Sequence, residues 1–376
     1  MTDMKRKKVV FFIASLSGGG AERALLHVLR NLDRTKYQPS LLLLNRVGAL
    51  LSEVPSDVTI HELGKTSRWD FLTLPGKIYR FVKSTQPDVL VSYLTYCNVL
   101  ALISKIGFRL RPPVIVVEQN HLSSVLAWSS HRFLRRIAVK MTYPFADQIV
   151  GCTQGCVDDL VDNFGVKRSI MTRIYNPADV AYCLNRSKEP IEFPPIMENG
   201  KPNILAAGRL TKQKDYPNLL RAFRLLVNEI PANLVILGEG SLLEELNDLA
   251  RQLNISENVC FAGYRPNSYP FFVKSDCFVL SSIFEGFPMV VLEAMALGAP
   301  VISTDCPGGP NEAIENDVSG FLVPVGDPAA LAEKIKILLS DKDLGARFIP
   351  KALEKTADFG IAKCVREFAQ VIDELL

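Results

Sequence analysis

The sequence predicts an α/β protein of two domains, each built on a parallel sheet. Three observations carry this. Short apolar runs alternate with helical patterns along most of the chain, the signature of βα units. The length of 376 residues exceeds what one hydrophobic core usually organises. Residues 186–202, RSKEPIEFPPIMENGKP, hold four prolines and no periodicity, so they read as a linker between domains spanning 1–185 and 203–359.

The elements follow in order. Val9–Ile13 is a strand, Ser17-Gly18-Gly19-Gly20 a glycine loop and Ala21–Arg30 an amphipathic helix. Strand, glycine loop and helix form a phosphate-site pattern. It is neither G-x-G-x-x-G nor a P-loop, and the next strand, Ser40–Leu44, ends in Asn45-Arg46 without an acidic ribose ligand. A nicotinamide-dependent dehydrogenase is therefore disfavoured. Strands are expected at 58–63, 88–93, 114–118, 147–152 and 172–175, and helices at 74–85, 96–106, 134–143 and 154–164. The fifth strand ends in Glu118-Gln119-Asn120-His121, and ligands of open α/β sheets sit at such edges. After the linker, strands at 203–207, 234–237, 259–262, 277–280, 300–303 and 320–323 alternate with helices at 216–229 and 242–253, and helices fill the C-terminus.

One stretch of the second domain is unusual. The strand Cys277–Leu280 runs into Ser281–Glu285, turns at Gly286 and starts a helix from Pro288-Met289 to Leu297, with Gly298 at the C-cap position. A free helix N-terminus after a tight turn presents unpaired N–H groups to an anion. Two carboxylates accompany it, Glu285 at its mouth and Glu293 two turns in. Glu293 is the only charge between Gly286 and Thr304, and a lone charge in an apolar helix is costly unless something polar meets it. A ligand carrying both phosphate and sugar hydroxyls would meet both.

Composition bounds the alternatives. No apolar run reaches the ~18 residues of a membrane span. The basic N-terminus followed by Val9–Ala14 imitates a signal peptide, but the run is short and no cleavage pattern follows, so a buried first strand and a cytoplasmic protein are expected. The eight cysteines are scattered, and the pair Cys152 and Cys156 lacks a second ligand pair, so reduced thiols and no zinc are expected. Asp341-Lys342-Asp343 reads as a solvated turn. Residues 1–190 carry a net charge of +11 and residues 191–376 a net −8, so the first half is expected to face something anionic. The stretch His131–Lys140, with Arg132, Arg135, Arg136 and Lys140 and with Trp128 before it, suits an anionic membrane surface or a lipid diphosphate. Nucleic acid is not expected, since no recognised module is present.

Two facing Rossmann-like domains would leave one cleft. Into it would project the Gly18–Gly20 loop, Glu118–His121, Arg209, Lys214 and Glu285–Pro288. Two cations and two glycine-lined helix starts suggest a diphosphate neutralised by side chains rather than metal. Gly208-Arg209-Leu210, Lys214, Glu285-Gly286-Phe287-Pro288, Glu293-Ala294, Pro300-Val301-Ile302 and Cys306-Pro307-Gly308-Gly309-Pro310 with Glu312 resemble glycosyltransferase family 4, the retaining GT-B enzymes. Ser17–Arg23 resembles the N-terminal glycine loop of its polysaccharide and lipid-linked oligosaccharide members.

The resemblance implies a retaining hexosyltransferase of GT-B fold that moves a hexose or N-acetylhexosamine from a UDP-sugar to a hydroxyl of a lipid-linked glycan, without metal or cofactor. It implies that Arg209 and Lys214 bind the donor diphosphate, Glu285 the sugar hydroxyls and Glu293 the ribose. Backbone groups from Gly286, Phe287, Pro288 and Met289 would contact sugar and β-phosphate, and Tyr264 and Arg265 would border the base. Gly19 and Gly20 would complete the donor site. Glu118, Asn120 and His121 would meet the acceptor, with His121 the candidate for the histidine that family members place at a strand edge. The last helix, 360–376, would return to the first domain. Retention by front-side displacement is expected, since Glu285 alone does not supply the two flanking acids of a glycosidase. A non-transferring UDP-sugar 2-epimerase and a two-lobed solute-binding protein are the rival readings. The glutamate spacing disfavours the first, the missing export signal the second.

Overall fold

The computed structural model describes residues 6–376. By contact the chain divides into two compact units, residues 1–177 with 361–376, and residues 178–360.

In unit 1, β1 (Lys7–Ile13), α1 (Gly20–Asn31), β2 (Tyr37–Leu43), β3 (Thr59–Glu62), α2 (Leu74–Thr85), β4 (Val89–Tyr93), α3 (Thr95–Phe108) and β5 (Val114–Glu118) follow one another. Then come α4 (Leu122–Ala127), α5 (Arg132–Thr142), β6 (Gln148–Gly151), α6 (Gln154–Phe164) and β7 (Met171–Arg173). The seven strands lie parallel in the order β3-β2-β1-β4-β5-β6-β7. Strand residues alternate between two buried layers. Val9, Phe11 and Ile13 pack on the face shared with α1, and Val10 and Phe12 on the face covered by α2 to α6.

Unit 2 runs α7 (Val180–Arg186), β8 (Asn203–Ala207), α8 (Tyr216–Val227), β9 (Asn233–Leu237), α9 (Leu243–Gln252) and β10 (Val259–Gly263). It continues through α10 (Tyr269–Val273), β11 (Cys277–Leu280), α11 (Met289–Ala296), β12 (Val301–Thr304), α12 (Pro310–Ala313), β13 (Phe321–Val323), α13 (Pro328–Ser340) and α14 (Lys342–Ala357). Its six parallel strands are ordered β10-β9-β8-β11-β12-β13. The last helix, α15 (Ile361–Asp373), belongs to unit 1. Its Cys364, Val365, Phe368, Val371 and Ile372 join the core layer of Phe11 and Tyr93, and the Phe368 ring lies 6.2 Å from Phe11 and 6.4 Å from Tyr93.

Each sheet reverses its order once, at β1/β4 and at β8/β11. Ligands of open α/β sheets bind outside the carboxyl ends of strands at that reversal. In unit 1 the glycine loop leaves β1 there. In unit 2, Gly208 leaves β8 and the Ser281–Glu285 turn leaves β11 there.

The structure departs from expectation at 186–202. The chain divides at Pro177 and Ala178, and the proline-rich segment packs within unit 2. Its apolar residues explain this. Met197 is buried, and the Phe193 ring meets Phe271 of α10 edge-on at 5.3 Å. The short helices α4, α7, α10 and α12 lack the length for a readable period. Pro288 caps α11 from outside rather than opening its first turn, while Gly298 takes the expected left-handed C-terminal position at φ 74. Among the described residues every cysteine is a free thiol, and no helix is long and apolar enough to cross a membrane.

Candidate active site

In unit 2 the Glu285 turn is held from both sides. Ile283 N–H donates to the Gln213 carbonyl at 2.8 Å, and Gln213 Nε2 donates to the Phe284 carbonyl at 3.0 Å. Ser281 Oγ donates to the Lys214 carbonyl at 2.7 Å. From the other side Glu285 N–H donates to Pro307 O at 2.9 Å. Gly308 lies against the same turn at φ 123, and a Cβ on it would stand 2.2 Å from the Glu285 carbonyl oxygen. Only glycine permits both that backbone angle and that approach.

Within this frame Lys214 and Glu285 meet. Lys214 Nζ lies 2.6 Å from Glu285 Oε1, with side chains 15% and 8% exposed. Ser282 Oγ donates to the same oxygen at 2.5 Å. A nearly buried carboxylate is thus satisfied by one cation and one hydroxyl. Gly208, at φ 152, makes room for the lysine, since a Cβ there would lie 2.9 Å from Lys214 Cε. Behind the pair Cys306 is buried, and burial, reinforced by the Glu285 charge, pushes its thiol up to about 12. It is therefore inert as a nucleophile.

The start of α11 is open. The amides of Gly286, Met289 and Val290 donate to nothing among the described residues, and Pro288 has no N–H. Phe287 is buried, its ring 4.9 Å from that of Phe359. Glu293 is buried about one turn into α11, where Tyr269 O–H of α10 donates to it at 3.4 Å. Arg209 is exposed and makes no ion pair among the described residues. Tyr264 is exposed just after β10, and the Arg265 guanidinium lies 6.0 Å from the Phe271 ring centre. Of the predicted unit 2 residues, the structure brings Lys214 and Glu285 together at the turn before α11 and ties Glu293 to α10.

Unit 1 corrects two expectations. Gly19 caps α1, and its N–H donates to the Glu22 carboxylate. The anion at that helix start comes from the chain itself, so the Gly19 amide is already engaged, and Gly20 is the first residue of the helix. Glu118 does not reach a surface. It is fully buried at the end of β5, where Oε2 accepts from Tyr143 O–H at 2.6 Å and from Thr95 Oγ1 at 3.1 Å. Its Oε1 accepts from Gln119 N–H at 3.1 Å. Burial raises its pKa to about 7, against the opposing pull of those hydrogen bonds.

The next residues divide the remaining roles. Gln119 Oε1 accepts from Asn176 Nδ2 at 2.7 Å. His121 caps α4, with Nδ1 2.9 Å from Ser124 Oγ and Nε2 3.9 Å from Asp159 Oδ1. Asn120 lies between them, half-buried, with no side-chain partner among the described residues. Sequence reasoning missed Ser282, Gln213 and Tyr269 in unit 2, and Thr95, Tyr143, Asp159 and Asn176 in unit 1. Ser282 lay inside the stretch already singled out. The unit 1 partners lie 23 to 57 residues from the groups they hold, with no local pattern linking them.

Two family models cover the chain, Glycosyltransferase Family 4 over residues 18–182 and Glycosyl transferases group 1 over residues 187–355. A Campylobacter jejuni protein, N-acetylgalactosamine-N,N'-diacetylbacillosaminyl-diphospho-undecaprenol 4-alpha-N-acetylgalactosaminyltransferase, is 30% identical over 372 residues, covering 96% of this chain and 98% of that one. A second transferase of that organism, GalNAc-alpha-(1->4)-GalNAc-alpha-(1->3)-diNAcBac-PP-undecaprenol alpha-1,4-N-acetyl-D-galactosaminyltransferase, is 28% identical over 98% of this chain and 99% of its own. Among solved structures, Anabaena HepE in complex with UDP-glucose superposes with a TM-score of 0.82 at 21% identity, covering 98% of this chain and all of that one. The lipopolysaccharide outer core galactosyltransferase WaaB superposes at 0.72 with 20% identity, over 98% of this chain and 100% of that one. With these relatives and these two Rossmann-like units, the chain belongs to glycosyltransferase family 4 and is a glycosyltransferase of GT-B fold.

Proposed function

We propose that the chain transfers a hexose or N-acetylhexosamine from a UDP-sugar to a hydroxyl of a lipid-linked glycan during cell-surface glycan assembly, with retention of configuration. The observation that carries the donor half is the Lys214–Glu285 pair beside the open start of α11. An incoming diphosphate competes for Lys214 and for the free amides, while Glu285 and Ser282 turn to sugar hydroxyls. Arg209, exposed and unpaired, adds a second cation. Hydrogen bonds to a charged group contribute about 1.5–3 kcal/mol each. A few of them stabilise a departing nucleoside diphosphate without metal or cofactor. UDP in the solved neighbour and diphospho-undecaprenol in the relatives' names support the substrate classes. On the acceptor side Asn120 and His121 stand for the contact, with Asp159 behind His121.

The membrane half of the proposal rests on α5. Phe133 and Met141 are 70% and 67% exposed, and Leu134 and Trp128 are also exposed, among Arg132, Arg135 and Lys140. Val139 and Thr142 supply the side facing the core. An apolar stripe turned outward and flanked by cations suits an anionic bilayer surface. Trp69 and Leu72, before α2, are exposed as well. The protein would then act from the cytoplasmic face of the plasma membrane as a peripheral enzyme.

The test is release of nucleoside diphosphate from UDP-, GDP- and ADP-sugars without acceptor or added metal, followed by transfer to an N-acetylhexosaminyl diphosphopolyprenol. Turnover of a UDP-sugar, with the anomeric configuration kept in the product, is expected. A preference for GDP- or ADP-sugars, an inverted product or a glycosyl group trapped on Glu285 overturns the corresponding part. Sedimentation with vesicles containing anionic lipid at low salt tests the membrane part, and equal binding to neutral vesicles overturns it.

A further inference from the structure

We propose that Glu118 is a positioning residue for the acceptor. From inside unit 1 it fixes the Gln119–His121 turn by tying β5 at once to α3 and to the C-terminal end of α5. The proposal rests on the transferase reading above, in which that turn meets the acceptor.

Four observations carry it. Both carboxyl oxygens accept from different elements, Oε2 from Tyr143 at the end of α5 and Oε1 from the Gln119 amide that opens the turn. Thr95 Oγ1, the first residue of α3, reaches both oxygens, at 3.1 and 3.3 Å. Leu94, just before it, holds φ 70 and ψ 142, a conformation that a leucine adopts only when its surroundings impose it. Asn98 Nδ2 donates to the Tyr143 hydroxyl at 3.3 Å and to the Val117 carbonyl at 3.0 Å, while its buried Oδ1 has no partner. The carboxyl therefore sits among donors from three elements, and the same cluster contains a buried acceptor without a partner, Asn98 Oδ1.

Its charge state affects the turn. As a carboxylate Glu118 accepts from all three donors. As an acid it also carries a donor, so a neighbour must turn to accept its proton and the set of bonds that holds the turn changes. Burial sets the change near neutral pH. The titratable groups acting on it are Tyr143 from the end of α5 and Asp159 from α6, whose negative charge pushes in the same direction as burial and which lies 3.9 Å from His121 of the turn. No lysine or arginine pairs with it among the described residues.

A carboxamide cannot replace it fully, since one of its two ends would point N–H at a donor. Steady-state transfer by the full chain, wild type against Glu118→Gln and Tyr143→Phe, is therefore expected to show KM for the acceptor raised about tenfold and KM for the donor changed less than twofold. The dependence of acceptor kcat/KM on a group near pH 7 should disappear in Glu118→Gln. Hydrogen exchange of residues 119–124 should rise in both variants, and this readout needs no substrate. Unchanged acceptor KM, pH profile and exchange in a folded variant overturn the proposal, as does an equal loss toward donor and acceptor. If Glu118→Gln fails to fold, Tyr143→Phe carries the same measurements. Failure of wild type to turn over any nucleotide sugar counts against the donor reading instead, and exchange of the turn then decides on Glu118.

Discussion

Glu285 and Glu118 each follow or end a parallel strand, each is nearly or fully buried, and each accepts from a hydroxyl. They differ in what neutralises them. Glu285 has Lys214 at 2.6 Å, whereas Glu118 has only neutral donors and feels Asp159 as a further negative charge. A buried carboxylate without a cation titrates within reach of neutral pH. The first arrangement suits a group that meets a substrate already carrying phosphate charge. The second suits a group that holds the chain in place and responds to protons.

Breaking the ion pair is the largest expected effect. Lys214→Ala should lower turnover by about two to three orders of magnitude, as removal of one preorganised donor does elsewhere. It should also destabilise the fold by about 3–5 kcal/mol, because Glu285 is left buried without a cation. Chemical denaturation separates the two losses. Lys214→Met combined with Glu285→Leu should recover stability but not activity. If the double variant is no more stable than Lys214→Ala, the pair is not what holds the turn.

Next in size is Gly308→Ala. The new methyl would press on the Glu285 carbonyl from a backbone angle alanine disfavours. A loss of about 1–3 kcal/mol is expected, with donor KM raised and acceptor KM unchanged. Equal stability would mean that the loop yields easily and does not frame Glu285.

The pH test addresses the other side of the comparison. Glu118 in the fold titrates at about 7, above the usual carboxyl value of 4.5. Between those values the folded state holds a proton that the unfolded state has released. The contribution of Glu118 to stability is therefore greatest below about pH 4.5, falls as pH rises, and is lost once pH passes 7. Glutamine does not titrate. The melting temperature of Glu118→Gln minus that of wild type should thus be more positive at pH 8 than at pH 5. The opposite sign would show that the hydrogen bonds outweigh burial. Thr95→Val is the smallest change. Losing one donor should cost about 1 kcal/mol and move the Glu118 transition further up.

The same contrast explains what the sequence reveals. The Glu285 turn was legible because its parts are consecutive, a strand, a glycine turn, a helix start and a lone glutamate in an apolar run. Lys214, 71 residues away, was expected to line the same cleft, but its direct pairing with Glu285 had no local signal. The succession of strands and longer helices along the chain followed from periodicity, while the short helices α4, α7, α10 and α12 did not. Nor did the place of Glu118. Its position at a strand edge suggested an exposed ligand, yet α3 and the end of α5 close over it, and nothing local in the sequence marks Thr95 or Tyr143 as its partners. The glycine loop misled in a similar way. Glu22, three residues beyond Gly19, supplies the negative charge that a phosphate was expected to bring. The proline-rich segment looked like a linker because prolines dominate its composition, while two apolar residues, Phe193 and Met197, decide its packing.

The place of α15 has a consequence for how the chain is made. Most of unit 1 precedes unit 2 in the chain, but Phe368 and its neighbours complete the layer around Phe11 and Tyr93. Unit 2 is one uninterrupted segment and is finished first. At ordinary elongation rates of about 5–20 residues per second, the unit 1 sheet waits roughly 10–40 s with only α1 on that face and the place of α15 uncovered. During that interval the part of the Phe11 face that α15 later covers is exposed apolar surface of the kind that aggregates or is held by chaperones.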